Sequence, residues 1–493
     1  MEAEDKKKSV IMLLIDSLMH EPLSRAIKSG QAPAMKFLLE NGHYEPDVIS
    51  PFPTMSVTVD SSLLTGVYSD RHKVPALVWF NKKENRIINY GSHIRELIKL
   101  GIKQSSRDIF YNLNQMHLNQ QVKTIHEELA ENGIETCSIN ALMHRGSRDA
   151  YLHVPALASW VTGLNHTVKI NAPQLFSYGG FSKINPGNLS LLKKFGFNDR
   201  FTANELRHLI RLNQVPPLVL AYFPDLDQHV HKNGRNDVKG VAKADSHVQR
   251  ILNSFRSWED ALKQNIWIVL GDNGQSWISE KKQVALIDLR GLLDRYRIVK
   301  LKKGVTSDDQ IVLAVNERMA FIYTLDHENL PLQQVAEQLK EDERIDIIAW
   351  KNEKNAVEVI SGGGDGKLIF KQGGDRADEY GQSWTLEGDG KVLDLTVAET
   401  SVAYGKFPDA LARLYSSCFS HEGDYLIVSA KPGCEFIGEG SPTHIGGASH
   451  GALHEQDSLV SMIIAGTDSK PKYKRIVDVK EWIKQIVESQ SGG

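Results

Sequence analysis

The sequence predicts an α/β sandwich, with a central, mostly parallel sheet flanked by helices. Three short apolar runs carry that prediction. Residues 9–15 end on Asp16, residues 217–223 lead to Asp225 and Asp227, and residues 266–270 lead to Asp272. Runs this short and this apolar read as strands buried on both faces, the pattern of a parallel sheet covered by helices. In such a sheet ligands bind beyond the carboxyl ends of the strands. Carboxylates gathered there cannot all stay ionised without a cation. The expected class is therefore a metal enzyme.

The elements follow in order. Leu23, Ile27, Met35, Leu38 and Leu39 repeat at helical spacing, which predicts a helix over 23–41 stopping at Asn41-Gly42. Val48-Ile49 reads as a short strand closed by Pro51 and Pro53, and Ser56 to Thr65 as a short helix with Gly66 beyond it. Residues 96–215 mix helical stretches with Gly and Pro breaks and read as a cap or insertion. Strand 217–223, a helix around 238–263 and strand 266–270 resume the α/β rhythm. From 300 to 415, glycine pairs at 362–366, 373–374 and 388–390 punctuate short β-rich runs, predicting a smaller β insertion. Its Asp-Gly pairs lack the spaced acids of an EF-hand and read as hairpin turns. Strands at 424–429 and 458–465 are expected to rejoin the core, and an amphipathic helix near 476–488 follows. Gly492-Gly493 reads as a frayed end. The catalytic core is thus expected in three pieces: 1–95, 216–299 and 416–493.

Composition excludes several classes. The 493 residues carry a formal net charge of −3, which argues against a nucleic acid polymer as partner. No apolar run approaches the roughly 18 residues of a membrane span. Lys6-Lys7-Lys8 before an apolar stretch imitates a leader. Asp16 interrupts that stretch and no small-residue cleavage site follows, so a core strand and a cytoplasmic location are expected. Cys137, Cys418 and Cys434 show no CxxC spacing and read as buried free thiols. A P-loop is excluded because no GxxxxGK[ST] segment occurs. Oligomeric state leaves no trace in the sequence.

Four segments hold the chemistry: Pro53-Thr54-Met55-Ser56 running on to Thr65-Gly66 and His72, Asp227-Gln-His-Val-His231-Lys-Asn-Gly234, Gly271-Asp272-Asn273-Gly274, and Gly446-Gly-Ala-Ser449-His450-Gly451. Together they resemble the alkaline phosphatase superfamily, most closely its type I phosphodiesterase and nucleotide pyrophosphatase branch. In that family a Thr or Ser nucleophile stands nine positions before a Thr-Gly pair, as Ser56 stands before Thr65. The resemblance implies one metal on Asp227, His231 and His450, expected to be Zn²⁺. It implies a second on Asp16, Asp272, Asn273 and the Ser56 oxygen, taking Zn²⁺ or Mn²⁺. It further implies phosphoric ester hydrolysis through a covalent phosphoserine at Ser56, with a phosphorylated small molecule or nucleotide as substrate.

The chain departs from the family twice. Asn273 stands where the family has histidine, which leaves the second site only oxygen donors and suits it to harder ions such as Mn²⁺ or Mg²⁺. After His72 the chain reads Lys73-Val-Pro-Ala-Leu-Val78, without the asparagine that contacts the phosphoryl group in relatives. Alternatives stay open at several positions. Thr54 and Thr58 compete as nucleophile, though their spacing to Thr65-Gly66 is wrong. Asp225 with His229 repeats the Asp-to-His step but lacks the following glycine, and His454 is the substitute for His450. Gly447-Ala-Ser449-His-Gly451 fits a G-x-S-x-G nucleophile elbow, which needs a strand before it and a helix after it. Sulfatase action is disfavoured because no C/S-x-P-x-R segment occurs. A degenerate member that binds a phosphorylated ligand without turnover is the non-catalytic alternative.

Overall fold

The computed structural model describes residues 7–188, 194–326 and 328–491. Lys6 and the Gly492-Gly493 end lie outside the described residues. Two seven-stranded sheets organise the chain. The first runs in the order Gly42–Ile49, Leu459–Ala465, Asn265–Leu270, Ser9–Ile15, Leu218–Phe223, Thr136–Ile139, Leu175–Ser177. Its four neighbour pairs from Asn265–Leu270 to Leu175–Ser177 are parallel, while Leu459–Ala465 runs antiparallel to both of its partners. This is the mostly parallel α/β sheet that the apolar runs predict.

The three acid-bearing strands are neighbours at its centre. Ile15 pairs with Phe223 and Leu14 with Leu270, so their carboxyl ends are level and deliver Asp16, Asp227 and Asp272 to one edge. Alternate residues of these strands feed two separate apolar clusters, which explains why the runs are continuously hydrophobic. Helices His20–Lys28, Pro33–Glu40, Asp199–Arg211 and Val238–Leu252 bury their apolar stripes in one cluster. The other cluster holds the Ser56–Thr65 helix and runs on into the second sheet.

That second sheet is antiparallel, in the order Ile311–Asn316, Met319–Thr324, Tyr425–Ala430, Ile345–Lys351, Val357–Ile360, Lys367–Ala377, Ser383–Gly388. Two expectations are corrected here. Thr136–Ile139 and Leu175–Ser177, read as part of a cap over 96–215, extend the central sheet. Tyr425–Ala430, expected in the core, lies between Met319–Thr324 and Ile345–Lys351 in the second sheet. Its side chains are apolar on both faces, so pattern alone could not choose its sheet. The helix expected over 23–41 is two helices, because Gly30 turns left-handed (φ 73°) and Pro33 opens the next. The helix expected around 238–263 also breaks, with Ser257 capping the Trp258–Gln264 segment. Among the described residues no helix is long and apolar enough to cross a membrane.

Candidate active site

The Ser56–Thr65 helix begins and ends where its sequence says. Gly66 adopts the left-handed conformation (φ 68°) and its N–H returns to the Ser62 carbonyl. From Val48 to Thr65 every residue is buried except Ser56, which stands at the helix's first position. The competing hydroxyls are engaged or sealed in. Thr54 Oγ1 accepts the Gly451 N–H at 2.8 Å, and Thr58 is fully buried. Ser50 Oγ donates to the Asp272 carbonyl at 2.6 Å, and the Thr54 carbonyl accepts from His450 Nδ1 at 2.6 Å. The segment leading to Ser56 is therefore fastened at both ends to residues of the site.

Asp227 and His231 occupy one face of the Asp225–Asn233 helix, four residues apart. His231 Nε2 lies 3.2 Å from Asp227 Oδ1, and His450 Nε2 lies 3.7 Å from the same oxygen. Ligand atoms of all three residues fall within 4.8 Å of one another, although His450 arrives from a distant loop. That loop comes close because Gly447 has no side chain: a Cβ there would meet the His231 carbonyl oxygen at 2.0 Å. Both imidazoles donate their Nδ1–H to a backbone carbonyl, His231 to Ala448 at 2.8 Å and His450 to Thr54. Each ring thereby turns Nε2 toward the shared centre, the arrangement of metal-binding histidines. Burial opposes charge here, yet Asp227 and then Glu317 raise His231 to about 10. Burial would also raise Asp227, but His231 and His450 hold it well below the usual carboxylate range.

Asp16, Asp272 and Asn273 form the second half, all buried. Asp272 Oδ1 accepts the backbone N–H of Ser17 at 3.0 Å and of Asn273 at 2.7 Å, while its Oδ2 has no partner. Asp16 accepts from the Tyr222 hydroxyl and from Asn273 Nδ2 at 3.2 Å. Burial, then Asp272 and Asp227, push Asp16 well above its ordinary value, and burial raises Asp272 as well. A buried, unpartnered carboxylate oxygen among further carboxylates fits a hard divalent cation. The Asn273 amide oxygen accepts from Ser17 Oγ at 2.9 Å and its nitrogen donates to Asp16 at 3.2 Å, so it braces that carboxylate.

The alternatives resolve by geometry. Asp225 receives Lys194 Nζ and the Asp199 N–H, and His229 meets Lys243 and Asp237, all away from this centre. His454 Nδ1 accepts from Gln456 N and caps a short helix. Ser449 lies in the short strand Ala448–Ser449, paired with Ser276–Trp277, and gives its hydroxyl to Glu317 at 2.6 Å; no strand-to-helix elbow exists there.

Several residues escaped the sequence reading. Ser17 and Gln275 both bond Asp227 Oδ1, at 3.0 and 2.6 Å. Asp60, one helical turn beyond Ser56, is buried; burial and then the nearby Asp272 raise it well above its ordinary value, offset only in part by the backbone amides of Leu142 and Met143. Glu317 and His444 stand beside His231. Only Asp60 had a signal, a carboxylate at the Ser56 + 4 position of an otherwise apolar helix face.

A match to known proteins decides the family. The model of the type I phosphodiesterase / nucleotide pyrophosphatase family covers residues 10–363. The chain belongs to that family. Membership makes it a phosphoric ester hydrolase. Solved structures share the alkaline phosphatase-like fold over nearly the whole chain. Murine ectonucleotide pyrophosphatase / phosphodiesterase 5 is 11% identical with a TM-score of 0.57, covering 98% of this chain and 95% of its own. Phosphonoacetate hydrolase from Sinorhizobium meliloti 1021, in complex with phosphonoacetate, is 13% identical with a TM-score of 0.57, covering 98% and 96%. No curated protein sequence gives a match.

Proposed function

We propose that this family member cleaves phosphoric esters through Ser56, assisted by two divalent cations. The observation that carries the reading is that Ser56 is the single non-buried position from Val48 to Thr65, at a helix start tied to His450. First-turn amides of a helix have no intrahelical acceptor, and they face a phosphoryl group together with the positive end of the helix dipole. Asp227, His231 and His450 would hold one cation; Asp16 and Asp272 would hold the other, with Asn273 steadying Asp16. Bound cations would supply the charge that lowers the pKa of the attacking hydroxyl and neutralises the departing oxygen. Ser56 Oγ then bonds to phosphorus as the bond to the leaving oxygen breaks, its proton departing to solvent, and water later cleaves the phosphoserine. Asp272 Oδ1 keeps the Ser17 and Asn273 amides in place during both steps.

The proposed substrates are small phosphorylated molecules or nucleotides. In support, a catalytically inactive form of the murine relative holds AMP and the bacterial one holds phosphonoacetate. The test is a panel of aryl monophosphates, phosphodiesters and nucleotides assayed with Zn²⁺, Mn²⁺ and Mg²⁺. Acid-quenched turnover mixtures are then searched by mass spectrometry for phosphate on Ser56. Turnover with no phosphoserine in any quenched sample, and full activity in Ser56→Ala, would discard the mechanism.

A further inference from the structure

Glu317 enters the centre from the second sheet. It is the first residue of the two-residue turn between strands Ile311–Asn316 and Met319–Thr324, which pair through Asn316 and Met319. Its φ is 57°. Such tight turns favour glycine where φ is positive, because a side chain there is strained. Strained positions that keep a functional side chain are a mark of active sites. The neighbours of this turn hold it rigidly. Asn316 exchanges hydrogen bonds with both backbone groups of Val78 at 2.7 Å, and Arg318 forms a fully buried ion pair with Asp457 at 2.8 Å. The Arg318 N–H also donates to the His450 carbonyl at 3.0 Å.

The carboxylate so presented faces the histidines from across the centre. Glu317 Oε1 lies 3.9 Å from His231 Nε2, and Oε2 lies 4.0 Å from His450 Nε2. Oε2 is steadied by Ser449 Oγ at 2.6 Å. His444, stacked on His231 with ring centres 4.3 Å apart and itself bonded through Nδ1 to Glu435 at 2.8 Å, closes the outer side. Ligands 2.0–2.2 Å from a tetrahedral Zn²⁺ stand about 3.3–3.6 Å from one another. The four carboxylate-to-imidazole separations run from 3.2 to 4.0 Å, with His231 facing Oε1 of Glu317 and His450 facing Oε2; Glu317 also lies within 4.8 Å of both His231 and His444.

We propose that Glu317 is a fourth protein ligand of the first metal, so that this ion is bound jointly by the catalytic sheet and the second sheet. The inference rests on the metal reading of Asp227, His231 and His450 given above. It makes the ion a clasp: Asp227 and His231 come from the helix beyond a strand of the parallel sheet, His450 from a distant loop, and the opposing carboxylate from a hairpin tip in the other sheet.

The test uses the full chain, stripped of metal and titrated with Zn²⁺ against a chromophoric chelator. Glu317→Gln keeps the side-chain shape without the charge, and Glu317→Gly suits the left-handed backbone and so preserves the turn. Both are expected to bind Zn²⁺ at least about tenfold more weakly than wild type, since loss even of groups behind the ligands costs about that much. The metal-free variants should melt near the wild-type temperature. Co²⁺ substituted for Zn²⁺ should show altered d–d bands in Glu317→Gln, which a merely structural role would not produce. His450→Ala is the control. Loss of Zn²⁺ in His450→Ala with wild-type affinity in both folded Glu317 variants overturns this inference alone. Wild-type affinity in His450→Ala, or no Zn²⁺ binding by the wild type, overturns the underlying metal centre and this inference with it.

Discussion

The two halves of the site are built from different materials and held in different ways. Beside the Asp227 carboxylate, His231 and His450 offer imidazole nitrogens, aimed by the carbonyls of Ala448 and Thr54, each far from the ring it aims in sequence. Asp16 and Asp272 offer oxygens only, fixed by their own strand ends and by the amides of Ser17 and Asn273. The first half is a product of chain closure, the second of strand register. Imidazole suits Zn²⁺, whereas carboxylate oxygen suits Mg²⁺ and Mn²⁺. The halves are therefore expected to differ in metal preference and in sensitivity to distant substitutions.

The largest effect should come where the halves meet. Ser56→Ala is expected to lower hydrolysis of an aryl phosphate ester by three orders of magnitude or more, about 4 kcal/mol or above in transition-state stabilisation. Thr58→Ala should retain most activity, because that hydroxyl is sealed in the core. Steady-state kinetics on the two proteins checks this. Activity surviving in Ser56→Ala would separate the halves from the nucleophile altogether.

Remote damage should strike the imidazole half next. Arg318 and Asp457 are both fully buried, and removing one partner of such a pair costs about 3–5 kcal/mol. Arg318→Met should show that loss in urea unfolding and should weaken Zn²⁺ binding, since the Arg318 side chain anchors the turn whose backbone N–H holds the His450 carbonyl. Equal weakening of Zn²⁺ and Mn²⁺ binding would erase the contrast in how the two halves are supported.

Asn273→His should move metal preference without unfolding the protein. The new imidazole would stand beside Asp16 and Asp272, raising the Zn²⁺/Mn²⁺ activity ratio several-fold. An unchanged ratio would mean that position 273 only braces the turn and Asp16. Asp225→Asn should have the smallest effect. Asp225 bonds Lys194 and the Asp199 amide away from the centre, so metal content by mass spectrometry should match wild type.

The oxygen half was legible in the sequence and the imidazole half only partly so. Asp16 and Asp272 follow continuous apolar runs, and a residue at the end of a buried parallel strand has one place to go. The Ser56–Thr65 helix was legible because Gly66 marks its end. Asp227 and His231 share a helical face, a local relation that spacing reports. Glu317 was not legible: Glu317-Arg318 contains none of the glycine or asparagine that announces a tight turn, and its partners are distant in sequence, His231 well before it and Ser449 and His450 more than a hundred residues beyond. Thr136–Ile139 was missed because four residues, two of them hydroxylic, give no usable period. Tyr425–Ala430 was found but misplaced, since burial on both faces looks alike in either sheet.

The position of strand Leu459–Ala465 has a consequence for biosynthesis. It lies between Gly42–Ile49 and Asn265–Leu270, and Gly42–Ile49 has no other partner in the sheet. As the chain leaves the ribosome, the strand over 42–49 must wait for hundreds of residues to be made before it can pair. Until then one flank of Asn265–Leu270 is an open edge, the kind of surface that recruits foreign strands. Sheet closure and the arrival of His450 are separated by only a few residues. A stalled or clipped chain lacking this stretch is therefore expected to expose that edge and to aggregate.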